Sequence, residues 1–203
     1  MNNENEILEF LNKNGLRYLS KFETTESQFK SFLKKKIDVF EPNLSTYKKN
    51  EFIHLITEKM KKLNYVNDLR YSEIKGEKIF NSGGSKKLLE FKLNEKGVDH
   101  DIIEKIKDKF FSNKLDEIQS ALIYTKKKKI GLFYQKDLNK IDTSNLKNKW
   151  LGTLARRGFS YETAKKVFEI DNLTEAEITQ DPNNEEAFSI NFPNDADSGG
   201  IGF

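Results

Sequence analysis

Residues 64–106 read NYVNDLRYSEIKGEKIFNSGGSKKLLEFKLNEKGVDHDIIEKI, and this stretch decides the fold. The spacing of its apolar positions predicts three short helices. The first is led by Asn67 and Asp68, the second follows the Gly83-Gly84-Ser85 break, and the third begins at Asp99 after Gly97. The second half of the stretch returns in residues 146–167, LKNKWLGTLARRGFSYETAKKV. At an offset of 61 residues, Leu89 falls on Trp150, Leu93 on Leu154, Lys96 on Arg157, Gly97 on Gly158 and Val98 on Phe159. A fainter copy, Phe29, Leu33 and Lys36, precedes both. Recurrence of a helical unit predicts an array of similar modules, each burying a narrow apolar stripe.

Composition agrees with that reading. Of 203 residues, 33% are charged and 36% hydrophobic, so little of the chain can be deep core. Strand signals are nearly absent, and the expected class is all-α. There is no cysteine, which removes disulfides, thiolate metal sites and a cysteine nucleophile. No apolar run approaches the ~18 residues of a membrane span. Met1–Asn5 lacks the basic start of a secretion signal, and a cytoplasmic location with no membrane contact is expected.

The net charge of +3 conceals an asymmetry. No lysine or arginine follows Lys166, whereas residues 171–203 carry eight acids, so residues 1–170 carry +11. A basic body with an acidic tail predicts a polyanionic or acidic partner and a tail able to compete for the same face. Plain solvation of a lysine-rich chain is the alternative.

Local signals place the helices. Thr25-Glu26-Ser27-Gln28 fits a capping box ahead of Phe29, Phe32 and Leu33, with Lys34, Lys35 and Lys36 in that helix's last turn. Pro42 interrupts the pattern. A long helix from Ser45 or Thr46 repeats Phe52, Ile53, Ile56, Met60 and Leu63. The next runs through Tyr71, Ile74 and Ile79. Gly83-Gly84 lacks the remainder of a phosphate-loop pattern and reads as a turn. Gly97 is expected to end its helix in the left-handed conformation. Residues 113–129 form a helix that runs into Lys126, Lys127, Lys128 and Lys129, and Ser160 caps the last helix.

No catalytic constellation is present: no nucleophile elbow, no zinc-protease motif, no dinucleotide fingerprint. His54 and His100 stand 46 residues apart, outside metal-ligand spacing. The chain is not expected to be an enzyme, and neither a cofactor nor a metal is expected.

Tyr65-Val-Asn-Asp68-Leu-Arg-Tyr71-Ser, then Gly84 with Lys86-Lys-Leu-Leu-Glu-Phe-Lys-Leu-Asn-Glu-Lys-Gly97-Val, then Ala155-Arg-Arg-Gly-Phe159-Ser, together resemble the RecX family of regulators of RecA recombinase. Residues 16–37 resemble that family's first repeat. The resemblance spans roughly residues 14–168. It implies an elongated, curved rod of three tandem three-helix, helix-turn-helix-like repeats, here 1–63, 64–112 and 113–170; the acidic tail, 171–203, has no counterpart in the family pattern and is expected from its composition to be disordered. It implies a protein that lies in the helical groove of RecA–DNA filaments, inhibits ATP hydrolysis and strand exchange, and so tempers recombination, DNA repair and the SOS response. The chain departs from the family pattern at Ser72 (usually Ala), at Asn64 (usually Gly), at Ile37 (where a Gly would follow Lys36) and in an added loop at residues 40–45.

The candidate contact residues are the cations of the repeated turns, Lys34, Lys35, Lys36, Lys96, Arg156 and Arg157, extended by Arg70, Lys86, Lys87, Lys92 and Lys126, Lys127, Lys128 and Lys129. Gathering phosphates or acidic side chains would give salt-dependent binding to single- and double-stranded DNA, weak and without base reading. A monomer is expected. Two alternatives remain: a stand-alone helix-turn-helix DNA-binding protein, and a helical scaffold for another protein. The first is disfavoured because the post-turn helices begin Asp99-His-Asp101 and Ser160-Tyr-Glu162, with acids where phosphates would be met.

Overall fold

The apolar stripes fold as nine α-helices in the computed structural model, which describes residues 4–135 and 143–170. These are α1 (Glu4–Leu19), α2 (Glu26–Phe40), α3 (Thr46–Lys62), α4 (Asp68–Asn81), α5 (Lys86–Asn94), α6 (His100–Phe110), α7 (Lys114–Lys128), α8 (Thr143–Arg156) and α9 (Tyr161–Glu169). A 3-10 turn, Gly131–Phe133, follows α7. No strand occurs among the described residues, and none of their helices is long and apolar enough to cross a membrane. The acidic tail, 171–203, lies outside the described residues.

Most helix starts are set by short polar side chains that take up free amides. Thr25 accepts from the Gln28 amide at 3.2 Å, Ser45 from Lys48 at 3.3 Å, Asn67 from Arg70 at 2.9 Å and Ser160 from Thr163 at 3.0 Å. Asn113 makes a full reciprocal box with Asp116. At Thr25 no reciprocal bond from Gln28 forms among the described residues. The next amide along, that of Glu26, donates to the Asp68 carboxylate at 2.8 Å.

The chain divides into two compact units. One takes Met1–Lys78 and Leu89–Phe110, the other Ile79–Leu88 and Phe111–Phe203. In the first, α1, α2 and α3 pack on one another around Ile7, Leu11, Phe29, Leu33, Ile56 and Met60. In the second, α9 packs against α7 and α8 around Ile118, Leu122, Leu154, Phe159 and Val167.

Three local expectations need correction. Lys34, Lys35 and Lys36 do not close a helix, because α2 continues to Phe40 and has no basic residue in its last turn. Ile37 is the reason: a buried β-branched residue stands where a glycine could have stopped the helix, and the added turn stacks Phe40 on Phe10 with ring centroids 3.9 Å apart. Leu63 and Ile74, expected on buried faces, are half exposed at 52% and 53%. Leu63 is the C-cap of α3, where the chain leaves the helical register.

Candidate cationic binding surfaces and the turns that hold them

The repeated turns are built alike. After α5, the Val98 amide reaches back to the Leu93 carbonyl at 3.2 Å and Gly97 takes φ +70°. After α8, the Phe159 amide reaches Leu154 at 3.2 Å and Gly158 takes φ +93°. This is the glycine-dependent helix stop. Each turn also receives the start of another helix. Thr25, which caps α2, donates its hydroxyl to the Lys96 carbonyl at 2.7 Å. Ser85 donates to the Arg157 carbonyl at 2.9 Å while accepting the Leu88 amide of α5 at 3.1 Å. A Cβ at Gly97 or Gly158 would lie 2.5 Å from Ser27 Oγ or Ser85 Oγ respectively, so glycine is required by packing as well as by φ.

In the second unit the predicted cations gather at the end of α4. Lys127 donates to the Asn81 carbonyl at 2.9 Å, and Arg157 donates through Nε to the Gly83 carbonyl at 3.2 Å. Both sit at the negative pole of a helix dipole. The Arg157 guanidinium lies over the Tyr124 ring, 5.0 Å from its centroid, and Lys128 lies over the same ring at 5.8 Å. Lys126 lies 5.9 Å from the Phe133 centroid. Lys87 borders the Gly158 turn, 3.5 Å from where a Cβ on that glycine would stand, and is exposed. Lys86 reaches the Phe111 carbonyl at 3.5 Å, and Arg156 donates to the Thr153 hydroxyl of its own helix at 3.3 Å. Tyr124, Lys128 and Arg157 thus form a basic, partly aromatic surface within this unit, with Lys87 beside the Gly158 turn.

In the first unit the predicted cations separate into two kinds. Arg70 is a clamp: it donates to the Glu23 carboxylate at 3.0 Å and to the Asn64 and Tyr65 carbonyls at 2.9 and 3.4 Å. Lys92 is paired with Glu95 at 2.9 Å. Neither is poised for a partner. Lys34, Lys35 and Lys96 enter no ion pair among the described residues, and neither do Lys87 and Lys129 of the second unit. Lys36 lies over the Phe32 ring at 5.6 Å.

Sequence reasoning overlooked a group beside Lys36. Arg17, Tyr18, Lys21 and Phe22 line an open notch with Phe32 and Lys36. Their signal was legible: a cation-aromatic pair at 17–18 recurs four residues later at 21–22, one helical turn on.

One electrostatic knot ties α2, α3 and α4 together. Glu26 lies between Lys30 at 2.6 Å and Lys61 at 2.8 Å. Partial burial works to raise its pKa, but hydrogen bonds from both lysines prevail and hold the carboxyl below its ordinary value. Burial pushes neighbouring Asp68 the other way, above the ordinary value, against the lowering effect of the Glu26 amide. Among the described residues no cluster of three acids or histidines could hold a metal ion. The acids that open the post-turn helices serve local structure: Asp99 accepts the Asp101 amide at 2.9 Å, and Glu162 pairs with Lys114 at 3.0 Å.

No family model matches the chain. It is 26% identical over 164 residues to the regulatory protein RecX of Myxococcus xanthus, covering 79% of this chain and 84% of that one. Its fold matches the crystal structure of RecX from Lactobacillus salivarius with a TM-score of 0.62, at 20% identity, over 83% of this chain and 98% of the other. In sequence and in fold the chain is similar to RecX. Its departures from the RecX pattern have structural readings. Asn64 holds φ +57° where the pattern has glycine, and asparagine is the side chain that best tolerates that region. Ser72, at the RecX alanine position, is fully buried, and its hydroxyl has no hydrogen-bond partner among the described residues.

Proposed function

We propose that this chain is a non-enzymatic regulator of RecA recombinase that acts in the cytoplasm by lying in the groove of RecA–DNA filaments and slowing ATP hydrolysis and strand exchange. The observation that carries this reading is the collinear likeness to RecX in sequence over 164 residues, joined to a matching all-helical fold. Three helices fall within each of the spans 1–63, 64–112 and 113–170, which supports reading the chain as three repeats. The cations around Tyr124 and the unpaired Lys34, Lys35, Lys87, Lys96 and Lys129 supply contacts for phosphates or acidic side chains without base reading. Inhibition follows when such a ligand binds one filament geometry better than another, since only differential affinity shifts an equilibrium.

Co-sedimentation with preformed RecA–single-stranded-DNA filaments tests the partner. Recovery of the chain with the filaments, beyond what DNA alone carries down, is expected. Recovery equal to that with DNA alone would reject the proposal.

A further inference from the structure

We propose that the notch between α1 and α2 is a stacking site for an unpaired base of single-stranded nucleic acid. Its floor is already a stack: the Tyr18 and Phe32 rings lie 4.2 Å apart and 17° from parallel. Phe22 lies beside it, its centroid 5.2 Å from that of Tyr18 and its ring tilted by 43°, and it is 55% exposed and so open to a partner. The notch encloses about 210 Å³. Arg17, Lys21 and Lys36 rim it, no carboxylate lines it, and the Lys36 ammonium is held over Phe32. Aromatic rings bordered by cations are what sequence-tolerant binding of single strands requires, the rings taking bases and the cations taking phosphates. A paired duplex keeps its bases inside the stack and cannot use the rings. An apolar peptide has no use for three cations at the rim. The site stands apart from the RecA reading, because it predicts binding with no other protein present.

The test is fluorescence anisotropy with the full chain and two labelled probes, an oligothymidylate of about 16 nucleotides and a base-free sugar-phosphate oligomer of the same length. The native chain should prefer the probe with bases. Phe22→Ala should weaken oligothymidylate binding about tenfold and leave the base-free probe unchanged. Phe22→Trp should bind oligothymidylate at least as tightly as the native chain. Because Phe22 is exposed, both variants should keep the native helical circular dichroism. The proposal is overturned if the native chain does not distinguish the probes, or if Phe22→Ala weakens both equally or neither.

Discussion

Ser85 donates its hydroxyl to the carbonyl of Arg157 at 2.9 Å, and the bond spans 72 residues of sequence. Thr25 does the same to Lys96 at 2.7 Å across 71 residues. The start of one helix is thereby seated on the glycine turn of another, once in each unit. Each hydroxyl is fully buried and also holds the third amide of its own helix. Ser85→Ala therefore removes a cap and leaves a carbonyl bare, and it should cost about 1–2 kcal/mol. Thr25→Ala should cost a similar amount. Urea unfolding of each variant measures this, and an unchanged midpoint would mean the joint contributes nothing.

A glycine inside α8 and one in the turn after it should respond in opposite directions. Gly158 combines φ +93° with a close approach to Ser85, so Gly158→Ala should destabilise by about 1 kcal/mol or more. Gly152 lies inside α8, and a Cβ there meets only the Arg156 side chain at 3.5 Å. Gly152→Ala should stabilise by about 0.5–1 kcal/mol, the helix-propensity gain. Thermal melts of the pair check the contrast, and two shifts of the same sign would refute it.

Ser72 carries a buried hydroxyl with no hydrogen bond among the described residues. Burying a polar group without a partner is unfavourable, so Ser72→Ala should stabilise by about 1 kcal/mol. A lower melting temperature in the variant would show that the hydroxyl has a use.

Asp68 and Glu26 give stability opposite pH dependences. The folded pKa of Asp68 is raised, so its ionised form opposes folding at neutral pH, and that penalty fades as pH falls through the folded pKa. Asp68→Asn keeps an oxygen to accept the Glu26 amide and removes the charge. It should raise the melting temperature at pH 7, and the gain should shrink as acid protonates the native Asp68. Glu26 runs the other way. Its folded pKa is lowered, so its contribution is present above the ordinary glutamate value of 4.5 and is lost as pH falls through the folded pKa. Glu26→Gln should therefore destabilise at pH 7 and converge with the native chain in acid. Melting curves from pH 7 down to about pH 3 separate the two.

Much of this was legible in the sequence, for physical reasons. Leu93 with Gly97, and Leu154 with Gly158, must each form a buried helix end and a left-handed stop, so the same residue types recur at the same spacing. The hydroxyl joints were hidden because their partners are 71 and 72 residues apart and one partner is a backbone carbonyl, which leaves no mark on composition. Ile37 was visible as a missing glycine, but whether α2 would run on depended on Phe10 being there to receive Phe40. Charge alone could not separate Arg70, whose fork is spent on Glu23 and two carbonyls, from Lys34 or Lys87, which enter no ion pair among the described residues.

The central claim, that this RecX-like chain restrains RecA, is tested most directly by the DNA-dependent ATPase of RecA with the chain titrated in. Hydrolysis should fall progressively to a low plateau as the chain saturates the filament. A rate unchanged at saturating protein would contradict it.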